Sequence, residues 1–116
     1  MKNQKLSYWI TTGVLTTGDD VILAISKFYN INPEQILGNA RYRNIAEARH
    51  LSSYFLYEKL RKTTPGEPIA VFRKVGEIIN KDRSTVWHSR KLVPNLCETD
   101  HEFKARFNNI KQILSL

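Results

Sequence analysis

Apolar residues recur at every third or fourth position over most of this chain, which is the spacing of amphipathic α-helices. The first run follows Asp19 and Asp20, either of which can cap a helix that ends at Asn30. Its apolar positions are Val21, Ile22, Ile25, Phe28 and Tyr29. Asn32 and Pro33 then begin a short helical turn that Gly38 closes. The pattern therefore predicts two helices before residue 39.

The longest helical stripe begins at Asn44 and ends before a loop at residues 63–68 that contains two prolines and a glycine. The positions on its face are Ile45, Ala48, Leu51, Ser52, Phe55, Leu56 and Leu60. Because these positions share one face over several turns, we expect this helix to form the spine of the fold.

Two further helices are separated only by Asn80 and Lys81, and so short a turn is typical of a helix-turn-helix motif. The first helix carries on one face Ile69, Phe72, Val75, Gly76 and Ile79. The second begins at Asp82 and is predicted to stop at Pro94.

A final helix starts at Asp100. Its inward positions are Phe103, Phe107, Ile110 and Leu114. No useful length of sequence alternates with period two, so the predicted class is all-α, a compact helical domain with a helix-turn-helix.

A chain of 116 residues is long enough for one domain with a core and too short for two. No linker or internal repeat divides it, so we expect one domain at residues 19–116 after a lead of uncertain structure at residues 1–18. No stretch approaches the roughly 18 to 20 apolar residues of a membrane span, and the N-terminus is too polar for a signal peptide. With a single cysteine, Cys97, these features favour the cytoplasm and no membrane partner.

The charge is concentrated in the middle of the chain. The formal net charge is +7, and residues 41–62 and 70–93 each carry six cations and two carboxylates, a net charge of +4 per segment. Both ends of the chain are close to neutral. Lysines and arginines often do no more than solvate helix faces. A basic middle between neutral ends nevertheless favours a polyanionic partner, nucleic acid before membrane.

The residue types that carry catalysis are not arranged for it. The three histidines, His50, His88 and His101, lack the spacing of metal ligands, and no paired carboxylates share a helix face. Neither a hydrolase motif nor the phosphate-binding loop G-x-x-x-x-G-K-[ST] occurs. We therefore expect no enzymatic activity, no metal, no cofactor and no small-molecule substrate.

Three segments carry a more specific pattern. Residues 39–50 are N-A-R-Y-R-N-I-A-E-A-R-H, residues 72–79 are F-x-x-V-G-x-x-I, and residues 82–88 are D-R-S-T-V-W-H. In this order they resemble the basic-loop pattern, the L-x-x-I-G-x-x-F helix and the R-D-H-[ST]-T-V-L-H signature of one family. That family is the C-terminal DNA-binding domain of the bacterial chromosomal replication initiator DnaA, and the similarity extends over residues 19–116.

The resemblance implies a Trp-repressor-like domain that binds double-stranded DNA sequence-specifically, in replication initiation or its regulation, and so associates with the nucleoid. Its helix-turn-helix would lie in the major groove and its basic loop in the neighbouring minor groove. The family also implies an ATPase, for which this chain has neither room nor phosphate loop, so we expect a standalone reading domain. The turn is one residue shorter than is common in the family, Arg83 replaces histidine, and the loop at residues 63–68 is longer, so base preference is expected to differ.

The start of the second motif helix supplies predicted base contacts. Asp82, Arg83, Ser84 and Thr85 are short or forked hydrogen-bonding groups at a helix N-terminus that should enter the major groove. Two of them have alternative roles, since Asp82 also suits an N-cap and Arg83 also suits a phosphate. Trp87 lies beside the outer face, where it either packs on thymine methyls or belongs to the core.

The basic loop supplies another predicted base contact. Arg41 and Arg43 lie between the turn closed by Gly38 and the long helix. An arginine in such a loop suits the narrow, strongly negative minor groove of A·T-rich DNA. We therefore predict that Arg41 contacts bases and that Arg43 contacts phosphate.

The remaining predicted contacts are to phosphates. Arg49 and His50 match the family's phosphate-contacting pair, with histidine in place of glutamine. Stepping 100° per residue from Val86 places His88 and Lys91 on the outer face of the second motif helix. The predicted phosphate contacts are thus Arg43, Arg49, His50, Lys59, Lys81, His88 and Lys91.

Two other functions stay open at this point. A non-enzymatic adaptor of a replication or phage system would use the last helix and the region around Trp9, and would tolerate charge reversal in the two middle segments. An RNA or single-strand binder would need exposed aromatic platforms, and the tyrosines are too scattered to form one. Double-stranded DNA is the preferred partner.

Overall fold

Six α-helices make up the part of the chain that the structure, a computed structural model, describes, namely residues 19–116. They are α1 (Asp19–Tyr29), α2 (Pro33–Leu37), α3 (Arg43–Leu60), α4 (Pro68–Ile79), α5 (Arg83–Thr99) and α6 (His101–Leu114). The described residues contain no strand, which confirms the all-α class. None of these helices is long and apolar enough to cross a bilayer. The lead predicted at residues 1–18 lies outside the described residues.

The long helix α3 is the centre of the fold, as its stripe predicts. It packs against α1, α2, α4 and α5, and every predicted stripe position is buried. Phe55 is 1% exposed and stacks on Phe107 of α6 with ring centres 5.0 Å apart. The helix begins at Arg43, one residue before the predicted Asn44, and its N-cap is Tyr42. The predicted start was wrong because Tyr42, although its side chain makes no capping hydrogen bond, already accepts at its carbonyl from the N–H of Ala46.

Helices α4 and α5 form the predicted helix-turn-helix. Asn80 ends α4 in the left-handed conformation, with φ 61° and ψ 45°. The face predicted for α4 is wrong at Ile69, which is 43% exposed, whereas Val71 is 3% exposed. At about 100° per residue, Ile69 is about 120° from Val75 around the helix and Val71 only about 40° away. Val71 therefore takes the inward position.

The turn folds back closely over Gly76. The backbone N–H groups of Asn80 and Lys81 both donate to the Gly76 carbonyl, the latter at 2.8 Å. A Cβ placed on Gly76 would lie 2.6 Å from the Lys81 carbonyl oxygen, well inside van der Waals contact. The position therefore requires glycine so that the start of α5 can approach α4.

Helix α5 does not stop at Pro94, as the sequence predicted, but continues to Thr99. The proline removes one backbone donor from the helix interior. Residues beyond it compensate by packing, since Leu96 and Cys97 lie partly buried against the core. The C-cap of α5 is Asp100, whose N–H donates to the Leu96 carbonyl.

Asp100 also begins the next helix. Its carboxylate accepts from the backbone N–H groups of Glu102 and Phe103, at 3.0 and 3.1 Å. The predicted start of α6 at Asp100 is therefore confirmed, and no other residue separates α5 from α6. Phe103 and Ile110 of α6 are each 1% exposed, while Phe107 and Leu114 are partly buried.

A carboxylate at the centre of a polar cluster ties three helices together. Glu47 of α3 accepts from Arg106 of α6 through Nε and Nη2, at 2.6 and 3.0 Å, and from the Tyr29 hydroxyl of α1. Burial and the neighbouring carboxylate raise the pKa of Tyr29, and the hydrogen bond with Glu47 raises that of Arg106. The cluster holds α6 in place across the core.

Replacing Glu47 by glutamine should lower the free energy of unfolding by about 1 to 3 kcal/mol, because the amide carries no charge and has an NH2 group in place of one of the two oxygens that accept from Arg106 and Tyr29. Urea denaturation monitored by circular dichroism measures the change. Asp20→Asn is the matched control, since it breaks the exposed Asp20–Lys59 pair and should cost less than about 1 kcal/mol. Equal losses in the two variants would contradict the structural role of the cluster.

Candidate nucleic-acid interface

Helix α5 begins at an aspartate cap. The Asp82 carboxylate accepts from the Ser84 backbone N–H at 3.2 Å and from the Ser84 hydroxyl. These hydrogen bonds with Ser84 lower the pKa of Asp82, so the carboxylate is ionised at neutral pH. The capping role predicted for Asp82 is confirmed. Because Asp82 and Ser84 are both exposed, they also remain accessible to a ligand at the helix start, where Arg83 is exposed and Thr85 half-buried.

The outer face of α5 is polar and partly cationic, as the 100° rule predicted. His88 and Lys91 are exposed, whereas Ser89 and Val93 are buried. Trp87 is 50% exposed, and the Lys91 ammonium lies 4.8 Å from the centre of its ring. Trp87 therefore lies outside the core, beside the predicted contacts.

An apolar slot adjoins the start of α5. It is lined by Ile69 and Phe72 of α4 and by Trp87, with Arg83 and Ser84 at its edge. Trp87 was predicted either beside the outer face of α5 or in the core, and Ile69 was predicted on the inward face of α4. The sequence signal for the exposure of Ile69 was its position on α4, about 120° around the helix from the inward residue Val75.

His50 is held by the inner side of α5. Its Nδ1 lies 2.8 Å from the Ser89 hydroxyl, and its ring centre is 6.4 Å from that of His88. Burial lowers the pKa of His50, and the nearby His88 and Arg49 lower it further. At neutral pH His50 is thus uncharged and offers a hydrogen bond rather than a positive charge.

Arg49 and Lys81 lie side by side at the end of α2. Arg49 donates from Nε to the Ile36 carbonyl and from Nη2 to the Gln35 carbonyl, both at 2.8 Å. Lys81 donates from Nζ to the carbonyls of Leu37, at 3.0 Å, and Gly38, at 2.7 Å. Both cations, predicted as phosphate contacts, are therefore bound to backbone carbonyls of the fold.

The basic loop at residues 38–42 joins α2 to α3. Arg41 lies in this loop and is exposed. Arg43, predicted in the same loop, is instead the first residue of α3 and is also exposed. Lys59 lies near the other end of α3, where its Nζ is 3.0 Å from Asp20 of α1. Lys59 comes ten residues after Arg49 in this helix, so the two lie about 15 Å apart along its axis.

Five cations of the basic middle are not among the contacts predicted from the sequence, namely Arg61, Lys62, Arg73, Lys74 and Arg90. Arg73 and Lys74 are exposed on α4, and Arg73 lines the same open groove as Lys81 and Arg83. For Arg73 and Lys74, the sequence signal was the excess of positive charge in residues 70–93. Arg90 packs over the Tyr57 ring, 4.2 Å from its centre, and donates to Glu58 at 2.8 Å, so it belongs to the fold.

Comparison with known proteins gives one family and a set of relatives. The family described as "Bacterial dnaA protein helix-turn-helix" matches residues 18–93. The matched range contains α1 to α4 and the first part of α5, including the helix-turn-helix.

The relatives are longer proteins, of which this chain matches only a part. The chain is 32% identical over 99 residues to the chromosomal replication initiator protein DnaA of Bacteroides fragilis, covering 84% of this chain and 19% of that protein. It is 28% identical over 97 residues to the protein of the same name from Wolbachia pipientis wMel, covering 84% of this chain and 20% of that protein. The chain thus spans about a fifth of the length of these relatives.

Proposed function

The chain belongs to the family of the bacterial DnaA helix-turn-helix domain, and from this we propose that it binds double-stranded DNA sequence-specifically, in replication initiation or its regulation. The observation that carries the proposal is the start of α5. Its first turn presents exposed hydrogen-bonding groups at Asp82, Arg83 and Ser84, and its outer face continues with exposed cationic or polar groups at His88 and Lys91. A helix N-terminus of this kind fits the major groove.

In this proposal, different residues contact the bases and the phosphates of the DNA. Asp82, Arg83, Ser84 and Thr85 would contact base edges in the major groove, and Arg41 would enter the minor groove. Since the Ser84 hydroxyl donates to Asp82, these two act as one unit whose free lone pairs accept hydrogen bonds from bases. The proposed phosphate contacts are the exposed groups Arg43, His88 and Lys91, with Lys59 near the end of α3 and His50 as a neutral donor. Arg49 and Lys81 are left out of this set, because their side chains are bound to backbone carbonyls.

Selection of bound sequences from a random duplex pool tests the proposal first. A sequence-specific reader should enrich one site, and that site then serves to measure discrimination against a scrambled duplex. Failure to enrich any site, with duplexes bound alike or not at all, would contradict the proposal and favour a protein-interaction adaptor.

Arg83→Ala should reduce discrimination between the selected site and scrambled duplex by about 1 to 3 kcal/mol, because one forked base contact is lost. Arg83→Lys retains the charge but not the fork, so it should lose most of the same discrimination. Titrations of both duplexes by fluorescence anisotropy give the ratio.

Lys104→Ala is the control, because it removes one exposed cation from α6, away from α5's first turn. It should leave discrimination unchanged. If Arg83→Lys instead behaved like the wild type, Arg83 would be a phosphate contact, and base readout would have to come from its neighbours.

A further inference from the structure

The end of α2 is capped by two cations that come from distant parts of the chain. The last carbonyls of a helix have no partner within it and carry the negative end of the helix dipole. Here Arg49 takes the carbonyls of Gln35 and Ile36, and Lys81 takes those of Leu37 and Gly38. Four consecutive carbonyls are therefore satisfied by two side chains.

These contacts join the two elements proposed to read DNA. Lys81 lies in the turn immediately before α5, and Gly38, which it binds, is the first residue of the basic loop. Asn80 of the same turn adds a long contact from Nδ2 to the Leu37 carbonyl, at 3.5 Å. Arg49 lies in the early turns of α3, the helix into which the basic loop leads. Both ends of the loop are thus fixed to the body that holds the helix-turn-helix.

The Lys81 ammonium has no donor left over. Its three protons match three carbonyls, those of Leu37, Gly38 and Asn80, the last at 3.3 Å. Burial lowers the pKa of Lys81, and the neighbouring Arg49 lowers it further, as expected for two cations that converge on one helix end. A phosphate would have to displace one of these carbonyls.

We propose that Lys81 and Arg49 are positioning residues that hold the basic loop at a fixed distance from the N-terminus of α5. This inference rests on the proposed function. Because the basic loop and the start of α5 are held at a fixed distance, the protein recognises an A·T-rich minor-groove segment only at one number of base pairs from the major-groove site. Specificity then includes the spacing between the two parts of the DNA site. Neither the basic loop nor α5 sets this spacing alone.

Duplexes that differ only in spacing test the inference with the full 116-residue chain. The selected major-groove site is kept, and the A·T-rich segment is moved by one or two base pairs in either direction. A duplex with a G·C-rich flank is the reference. The wild type should prefer one spacing by about tenfold, since each base pair lost from a site costs about that much.

Lys81→Met keeps the aliphatic stem and removes the ammonium. We expect it to bind the differently spaced duplexes within about twofold of one another, while still preferring A·T-rich over G·C-rich flanks, because the loop can then reach several positions of the groove. Arg41→Ala should instead lose the preference for A·T-rich flanks at every spacing. Circular dichroism melting curves establish that each variant is folded.

Arg49→Lys serves as the second variant if Lys81→Met does not fold, since it retains the charge but cannot bind two carbonyls with one planar fork. It should also relax the spacing preference. A spacing preference as sharp as the wild type's in these variants would overturn the inference, as would an equal loss of affinity for all duplexes, which marks an ordinary phosphate contact. A wild type that selects no site at all would instead overturn the proposed function.

Discussion

Raising the salt concentration from about 50 to 200 mM should weaken binding to the selected duplex by about 10² to 10⁴-fold, because each phosphate contact releases condensed counterions. The estimate follows from roughly 4 to 8 phosphate contacts, which correspond to a slope of log K against log salt of about −4 to −7. The structure supports this range, since exposed cations in both middle segments, such as Arg43, Arg73 and Lys91, remain available while Lys81 and Arg90 serve the fold. Anisotropy titrations at several salt concentrations measure the slope.

Single substitutions show which cations contribute to the slope of log K against log salt. Lys91→Gln should make the slope shallower by about 1, and Lys104→Gln, which alters α6, should leave it unchanged. A flat response of the wild type would refute the electrostatic basis of the proposed interface. A slope that changed equally in both variants would show that net charge rather than a defined surface determines binding.

Gly76→Val should reduce binding of the selected site to the level of scrambled duplex, a loss of about 10³-fold or more. A Cβ at this position would lie 2.6 Å from the Lys81 carbonyl, and that backbone is held by hydrogen bonds from the turn to Gly76 itself. The turn must therefore move, and with it the start of α5. Overpacking of this kind costs about 1 to 3 kcal/mol of stability, which should leave the domain folded.

Gly38→Ala is the matched control. Gly38 has an ordinary φ of −88°, and its added Cβ would meet the nearest atom, the Glu34 carbonyl oxygen, at 3.3 Å. We expect a change in the free energy of unfolding of no more than about 1 kcal/mol and retained site-specific binding. Site-specific binding by Gly76→Val at the wild-type level would mean that the close approach of α4 to the turn does not set the position of α5.

The helices could be predicted wherever apolar periodicity was long. The stripe from Ile45 to Leu60 identified α3 because burial on one face decides both the helix and its orientation. The end of α5 could not be predicted in this way. Local propensity places a helix end at Pro94, but tertiary packing of Leu96 and Cys97 outweighs the lost hydrogen bond.

The candidate interface could be predicted where its residues are neighbours in sequence. The exposed outer face of α5 follows from counting 100° steps, and Asp82 from its place before the first turn. The inward orientation of Lys81 could not be predicted, because its partners lie 43 and 44 residues away in sequence. A lysine in a basic segment has the same sequence signature whether it faces a ligand or caps a helix.

The shared cap at Asp100 limits how the length of this chain can vary. A single residue ends α5 and begins α6, so the corner contains no loop that could absorb an inserted or deleted residue. One residue added just after Asp100 would rotate α6 by about 100° relative to its cap and turn Phe103 and Ile110 away from the core. Insertions are better tolerated in the loop between α3 and α4, at residues 65–67, where the residues are exposed and no residue caps two helices. Fusions or tags placed inside the domain therefore belong in that loop and not at the corner.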